Sequence, residues 1–208
     1  MAKIADLLVD RMLQRPRGFV ARRMWRDMKA HHGIFHDTLA ELELTADDNL
    51  LEIGCGGGTF VRLALESSCR ATAVDHSTDM AELARRNNAD AVAAGRLAVV
   101  VAPAESLPFA DGTFTHAALM NVLFFVDVPA TLGELRRVLA PGARLVIHTV
   151  APNPPASIMP PPVARRLRLW PDDELLQLME NADFADVKVR HTGKGFQLVT
   201  ATRPVAKP

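Results

Sequence analysis

The stretch LEIGCGGGTF, residues 51–60, decides how the rest of the chain is interpreted. It separates an apolar run that predicts a strand, residues 50–53, from one that predicts a helix, residues 60–67. Within it, four positions lack a side chain: Gly54, Gly56, Gly57 and Gly58. Glycine permits positive φ and lets the backbone approach a ligand closely, at a cost in conformational entropy on folding. Because the carboxyl ends of parallel strands open onto a crevice, we expect this loop to hold a ligand.

The sequence from residue 50 onward alternates short apolar runs with helical patterns, which is typical of βαβ units. Strands are predicted at residues 50–53, 71–75, 96–102, 114–120 and 143–150, and a terminal β-hairpin at 185–191 and 196–203. Helices are predicted at residues 60–67, 77–92, 129–139 and 170–181. Ser77 is a plausible N-cap for the second of them. We therefore expect an α/β fold, a Rossmann-like three-layer sandwich whose seven-stranded, mostly parallel sheet ends in an antiparallel C-terminal hairpin.

The segments that flank these elements carry separate predictions. Residues 1–45 indicate one or two helices, with a break at Pro16-Arg17-Gly18, that cover the domain formed by residues 46–208. Pro141-Gly142 is expected to end the helix that precedes it. The proline-rich stretch APNPPASIMPPP, residues 151–162, predicts an extended surface connection that cannot be helical.

The composition fits a single globular domain. The chain has 208 residues, 49% of them hydrophobic, and 24 basic against 24 acidic side chains. This balance argues against a protein that holds nucleic acid through its phosphates. Cys55 and Cys69 are too few and wrongly spaced for a zinc site or a disulfide framework, so we expect free thiols and no metal. The first residues lack the pattern of a signal peptide, and no run approaches the roughly 20 apolar residues of a membrane span, so we expect a cytoplasmic protein.

The spacing of the glycines distinguishes two classes of cofactor loop. The G-x-G-x-x-G pattern of dinucleotide folds would place its third glycine at Thr59, so the sequence fits that pattern poorly. Glu52-x-Gly54-x-Gly56-x-Gly58 instead resembles the first motif of class I S-adenosylmethionine-dependent methyltransferases. The resemblance extends over about residues 48–203, where AESLPFADGTFTHAALM and RRVLAPGARLVI are similar to later segments of that family. The most similar subgroup by pattern is the small methyltransferases related to those of ubiquinone and menaquinone biosynthesis.

The resemblance implies a cofactor, S-adenosyl-L-methionine, a product, S-adenosyl-L-homocysteine, and a set of residues around them. Asp75 stands where the family's acidic residue accepts hydrogen bonds from both ribose hydroxyls, which suits a carboxylate with two oxygens. Ala104 and Glu105 would border the adenine, but Pro103 occupies the position where many members carry an Asp that binds the adenine amino group. The implied cofactor-binding residues are Glu52, Gly54, Cys55, Gly56, Gly58, Asp75, His76, Met80, Ala104, Glu105, Met120 and Asn121. The last two would border the methionine end.

Several residues of this set also have structural interpretations. Asp75 can cap the following helix, either alone or together with binding the ribose, Glu105 can be a solvated loop residue, and Cys55 can be a small filler of the loop. The sequence leaves these alternatives open.

Histidines are the candidates for contact with the substrate, because a pKa near 6.5 permits proton transfer at neutral pH. His31, His32 and His36 precede the first strand, where a helix can cover the cofactor. His148 lies near the carboxyl end of the fifth strand and faces either the crevice or the sheet core. Each of these histidines can also be a surface or packing residue.

We expect methyl transfer from S-adenosylmethionine to a small-molecule acceptor, mainly by alignment of the reacting groups and exclusion of water. One alternative is a protein of the same fold that binds the cofactor without methylating. A nucleic-acid methyltransferase is disfavoured, because Met120-Asn121-Val122-Leu123 occupies the place of the [D/N/S]-P-P-[Y/F/W] motif. Arg165, Arg166 and Arg168 can receive an anionic acceptor or form a solvated face. The acceptor, the atom that is methylated and the oligomeric state are left open, and a homo-oligomer is compatible with the sequence.

Overall fold

The structure is a computed structural model that describes residues 32–205. Of the predicted helical cover, it contains the helix α1, His32–Leu42. The predicted break at Pro16-Arg17-Gly18, His31 and the side chain of His32 lie outside the described residues.

The strands of the described part form one seven-stranded sheet. They are β1 Asn49–Ile53, β2 Arg70–Asp75, β3 Leu97–Val101, β4 Phe114–Met120, β5 Leu139–Val150, β6 Ala185–Thr192 and β7 Phe196–Thr202. Their spatial order is β3-β2-β1-β4-β5-β7-β6, so β7, which follows β6 in sequence, lies between β5 and β6. The pairs from β3 to β5 are parallel, whereas β7 is antiparallel to both of its neighbours. The predicted fold class is confirmed.

Helices cover both faces of this sheet. Besides α1 they are α2 Thr59–Ala64, α3 Thr78–Asn87, α4 Ala89–Ala93, α5 Val128–Val138, α6 Pro161–Ala164 and α7 Asp172–Asn181. Side chains of α5 and α7 belong to one buried cluster, and side chains of α1 and α2 belong to another. Strand β5 shows why there are two clusters: Leu145 and Ile147 join the first and Val146 joins the second, because successive strand residues point to opposite faces. The result is the expected three-layer arrangement.

The direction of strand order reverses at the centre of the sheet. From β1 the chain moves outward through β2 to β3 and then returns to β4 on the other side of β1. In open α/β sheets the ligand crevice lies at such a switch point, outside the carboxyl ends of the strands. The glycine loop follows β1 and therefore lies at this crevice.

Asn88 divides the helix predicted at residues 77–92 into α3 and α4, so the prediction of one helix is wrong. Its backbone has φ −126° and ψ 31°, outside the helical region. Its side-chain amide donates to Gly58 O and Ala84 O. Asparagine side chains compete in this way with the regular hydrogen bonds of a helix.

Helix α5 ends at Val138, one residue before the predicted end at Leu139 and ahead of Pro141-Gly142. Leu139 is fully buried and pairs with Phe114, so β5 begins at Leu139 instead of at residue 143. The register between β4 and β5 shifts just after this pair, and Gly142 has a φ of 82°. The proline and the glycine therefore lie in an irregular first part of a long strand, which is where strands accommodate proline.

The proline-rich connection is not extended throughout. The helix α6 begins at Pro161 and includes Pro162, so the prediction that residues 151–162 cannot be helical is wrong at their end. Proline is tolerated in the first turn of a helix, because the N–H that it lacks would have no partner within the helix.

Candidate functional site

The glycine loop turns sharply from β1 into α2. Gly54, Gly56 and Gly58 have φ values of 71°, 50° and 74°, in the left-handed region that favours glycine. The amides of Gly54 and Cys55 both donate to Val74 O, at 2.7 and 3.0 Å. The loop is therefore bound to the carboxyl end of β2.

Two of the glycines are also required by their neighbours within the protein. A Cβ at Gly54 would collide with Cγ2 of Val122, and a Cβ at Gly58 would lie 2.6 Å from Nδ2 of Asn88. Close packing within the protein therefore requires glycine at these two positions, whether or not a ligand approaches the loop.

Asp75 joins the loop to the residues that follow β2. Its Oδ2 accepts a hydrogen bond from the Gly56 amide at 2.9 Å, and its Oδ1 accepts one from the Ser77 amide at 2.8 Å. Burial raises the pKa of the Asp75 carboxyl above its usual value, whereas these two hydrogen bonds lower it. Ser77 caps α3, since its side chain accepts from the Met80 amide, as the sequence predicts. The interpretation of Asp75 as the cap of that helix is therefore wrong.

Glu52 is a second buried carboxyl beside Asp75. It is 2% exposed, and its Oε2 has no hydrogen-bond partner among the described residues. Burial, followed by the negative charge of Asp75, raises the pKa of Glu52 well above its ordinary value, and a hydrogen bond from the Val61 amide opposes this shift. The site thus contains a carboxyl oxygen that lacks a donor.

Cys55 is buried within the loop. Burial, together with the charges of Glu52 and Asp75, raises the pKa of its thiol well above the ordinary value. A reactive cysteine needs a depressed pKa, so the thiol has the character of a filler of the loop.

The residues predicted to border the adenine lie around the end of β3. Ala104 is buried, and Glu105 accepts a hydrogen bond from the Asp127 amide at 2.9 Å, which links this connection to the start of α5.

Two further predicted cofactor residues follow β2. Met80 is fully buried in the first turn of α3. His76 is exposed, with its Nδ1 3.7 Å from Asp75 Oδ1.

The residues predicted at the methionine end lie where β4 ends. Met120 is the last residue of β4 and is half-buried. Asn121 has a φ of 57°, and its amide donates to His148 O at 2.7 Å. Asn121 Oδ1 is buried without a hydrogen-bond partner in the described part of the chain. The chain thus bends sharply at Asn121, next to β5, where the methionine end of the cofactor is predicted to lie.

The candidate substrate histidines lie in different environments. His148 is fully buried in β5, with Nε2 3.4 Å from Thr192 Oγ1 and its ring 5.0 Å from that of Phe196. His36 is exposed on α1, next to Phe35, which packs edge to face on Phe60 of α2. The environment of His148 is that of a residue packed between strands.

The arginines that follow the fifth strand lie near α6 and α7. Arg165, Arg166 and Arg168 are exposed. The guanidinium of Arg168 stacks 3.7 Å above the ring of Trp170 and forms an ion pair with Glu174 at 3.2 Å. The structure thus gives Arg168 intramolecular partners.

Two residues that contact the loop escaped the sequence analysis. Asn87 Nδ2 donates to Gly57 O at 2.8 Å, and Asn88 Nδ2 donates to Gly58 O at 3.1 Å. Asparagine is a poor helix former, so two in succession within a predicted helix are the signal that could have indicated this role.

The described residues contain neither a metal-binding cluster nor a membrane-spanning helix. No group of three or more His, Cys, Asp or Glu side chains among residues 32–205 is placed to hold a metal ion. No helix in this part of the chain has the length and apolar character needed to cross a membrane.

Comparison with known proteins places this geometry in a family. Residues 51–147 match the family model described as a methyltransferase domain. This part of the chain belongs to the methyltransferase domain family. The match contains the glycine loop, Asp75 and the end of β4, and it confirms the resemblance found from the sequence.

Relatives of this methyltransferase domain are similar over much of the chain. The O-methyltransferase resE of Aspergillus sclerotiorum is 32% identical over 73% of the chain. The ubiquinone/menaquinone biosynthesis C-methyltransferase UbiE of Geotalea daltonii is 32% identical over 65% of it. The chain spans 61% and 55% of the lengths of these two relatives.

Solved structures share the fold. The crystal structure of a SAM dependent methyltransferase from Aquifex aeolicus superposes with a TM-score of 0.76 and covers 88% of this chain and 97% of its own, at 19% identity. At this identity the likeness shows the fold alone.

Proposed function

We propose that this methyltransferase domain binds S-adenosyl-L-methionine and transfers its methyl group to a small-molecule acceptor, releasing S-adenosyl-L-homocysteine. The observation that carries the proposal is the hydrogen bond from the Gly56 amide to Asp75 Oδ2. It brings a glycine loop and a carboxylate together at the switch point of a parallel sheet, where such folds bind nucleotide-like ligands.

The donor and acceptor groups of the site fit this cofactor. A carboxylate offers about four acceptor positions, and the amides of Gly56 and Ser77 use two of those on Asp75. Two remain for the ribose hydroxyls. The Oε2 of Glu52 has no partner among the described residues, and in the ionised form of the carboxyl it can accept from the ammonium of the methionine part, directly or through water.

The remaining residues divide between the two ends of the cofactor. Ala104 and Glu105 border the adenine, and Met120 and Asn121 border the methionine part. Because Pro103 has no side-chain donor or acceptor, adenine selectivity depends on the Ala104 amide and on Glu105. In this proposal residues 46–208 form the binding domain, which the helix His32–Leu42 covers.

The protein's part in the reaction is alignment. A sulfonium methyl is already activated, so the bound cofactor supplies the electrophile. The residues around the loop hold it in one orientation and exclude water, which accounts for a large share of the rate in reactions of this kind. An oxygen or nitrogen nucleophile needs a base, for which the exposed His36 is proposed, whereas an activated carbon does not.

The proposal includes a small-molecule acceptor and a location in the cytoplasm. Relatives are named as O- and C-methyltransferases, which supports a small acceptor without choosing its reacting atom. Cys55 and Cys69 are free thiols, as expected of a protein in the reducing cytoplasm.

Isothermal titration with S-adenosylmethionine, S-adenosylhomocysteine and NAD tests the proposal. Both sulfur ligands are expected to bind and to raise the thermal midpoint, because a ligand that binds only the folded state stabilises it. Binding of NAD without either sulfur ligand would overturn the proposal. Incubation with candidate acceptors then separates a methyltransferase, which forms one S-adenosylhomocysteine per methylated product, from a protein that only binds the cofactor.

A further inference from the structure

The glycine loop is held from two sides by different elements. Its first half is bound to β2, because Val74 O accepts from the amides of Gly54 and Cys55, and Asp75 Oδ2 accepts from Gly56. Its second half is bound by the two consecutive asparagines at the break between α3 and α4. Asn87 Nδ2 donates to Gly57 O at 2.8 Å and Asn88 Nδ2 donates to Gly58 O at 3.1 Å.

We propose that Asn87 and Asn88 are positioning residues of the cofactor site, which fix the direction of the backbone amides in the second half of the loop. The peptide unit is planar and trans, so its carbonyl and the following N–H point in opposite directions. Fixing Gly57 O thereby orients the N–H of Gly58, which donates to Cys55 O at 2.9 Å within the loop. Fixing Gly58 O, which also accepts from the Arg62 amide at 3.3 Å, orients the N–H of Thr59. The identity of the ligand in the loop rests on the proposed function. The positioning of the loop by the two asparagines does not depend on it.

The geometry of Asn88 indicates that its side chain joins the loop to α3 and does not cap α4. It stands at the N-cap position of α4, where asparagine is favoured because its side chain can cap the helix, yet it makes no such bond. The amide turns back to Gly58 O and to Ala84 O, at 3.1 and 2.8 Å, and the residue is 6% exposed. A Cβ at Gly58 would lie only 2.6 Å from this amide, so Gly58 and Asn88 are matched to each other.

Both asparagines line a cleft behind the loop. The cleft has a volume of about 340 Å³ and is also lined by Arg62, Glu66 and Arg96. Since charged side chains are among the residues that line this cleft, water can enter where an amide is removed, and truncation of either asparagine leaves no closed apolar cavity. Alanine variants are therefore expected to fold.

The test compares Asn87→Ala, Asn88→Ala and Asn87→Asp with the wild type. Each alanine variant is expected to raise the dissociation constant of S-adenosylhomocysteine about threefold to tenfold, the effect of one lost hydrogen bond. Asn87→Asp keeps the shape but places a carboxylate against Gly57 O, so it is expected to weaken binding more than Asn87→Ala. Arg86→Gln is the control, because Arg86 lies on the same helix, is 63% exposed and pairs with Glu82.

A second measurement needs no ligand. Amide hydrogen exchange of Gly58 and Thr59 in the cofactor-free protein is expected to accelerate in the asparagine variants and not in Arg86→Gln. A lower thermal midpoint with unchanged affinity and unchanged exchange at these two amides would mean a structural role only and would overturn the inference. If the wild type itself fails to bind S-adenosylhomocysteine, the proposed function fails, and the exchange rates alone decide whether the asparagines position the loop. If Asn88→Ala does not fold, the half-buried Asn87 carries the test.

Discussion

The Gly56 amide and the Asp75 carboxylate are joined by a hydrogen bond of 2.9 Å across 19 positions of sequence. The bond connects the loop after β1 with the end of β2 in the protein itself. Asp75 therefore has a structural role in the site. Its other oxygen, Oδ1, contributes to this role by accepting a hydrogen bond from the Ser77 amide. A substitution at Asp75 has to be judged on stability and on binding together.

Asp75→Asn is expected to lower the stability of the protein and to weaken its binding of the cofactor. An asparagine has one side-chain acceptor atom, so it can serve only one of the two backbone amides, and its NH₂ group is turned toward the other. The charge that would bind the ribose hydroxyls is lost as well, and hydrogen bonds to charged groups contribute roughly 1.5 to 3 kcal/mol. We expect S-adenosylhomocysteine affinity to fall about tenfold to more than a hundredfold in isothermal titration.

The exposed Asp47→Asn is the matched control for the change of carboxylate to amide. It is expected to leave affinity and thermal midpoint unchanged. A folded Asp75→Asn protein whose dissociation constant stays within about twofold of wild type would remove Asp75 from the cofactor site.

Glu52→Gln is expected to change how stability depends on pH. A carboxyl whose pKa is raised on folding contributes stability below the pKa of the unfolded chain, about 4.3, and loses that contribution as pH rises through the folded value. The pKa of Glu52 is raised in this way, mainly by burial. The free energy of unfolding of wild type, relative to Glu52→Gln, is therefore expected to fall as pH rises from about 4.3 toward neutrality, as measured by urea unfolding.

Glu66→Gln, at an exposed position, serves as the comparison and is expected to show no such trend. A difference between wild type and Glu52→Gln that is constant over this pH range would contradict the prediction. The variant is also expected to bind S-adenosylmethionine more weakly, since it lacks the carboxylate that the ligand's ammonium needs.

Gly58→Ala is expected to cost more stability than Gly95→Ala. The two glycines have nearly the same φ, 74° and 68°, but a Cβ at Gly58 meets Asn88 and Ala84, whereas a Cβ at Gly95 meets nothing within 4 Å. The left-handed backbone costs alanine about 1 to 2 kcal/mol at either site. The collision at Gly58 adds about 1 to 3 kcal/mol.

Urea unfolding of both variants measures this difference, and titration with S-adenosylhomocysteine measures its consequence. Only Gly58→Ala is expected to lose affinity, since Gly95 lies after α4, away from the loop. Equal losses of stability in the two variants would show that the space beside Gly58 accommodates the added Cβ and that the collision costs nothing.

The sheet and the main features of the site were predictable because they depend on local patterns. Apolar runs gave the strands, and the positions of Gly54, Gly56 and Asp75 relative to β1 and β2 gave the loop and the carboxylate beside it. Ser77 caps α3 as its sequence position indicates. These features follow from which residues are adjacent in the chain and from the edge at which parallel strands end.

The features that were missed depend on tertiary contacts. Asn88 breaks a helix in order to reach Gly58, thirty positions earlier, which helix propensity alone cannot reveal. Leu139 extends β5 because it pairs with Phe114, although Pro141 follows two residues later. The packing of Gly54 against Val122 likewise joins segments that are distant in sequence.

The position of β7 between β5 and β6 constrains the order in which the sheet can assemble during translation. Strands β2 to β5 can each pair as they emerge from the ribosome, because each of them has one neighbour in the sheet that precedes it in sequence. Strand β6 has only β7 as its neighbour, and β7 comes later in sequence. A nascent chain that stops at Thr192 therefore leaves the outer edge of β5 open and β6 unpaired, a state in which exposed strand edges favour aggregation.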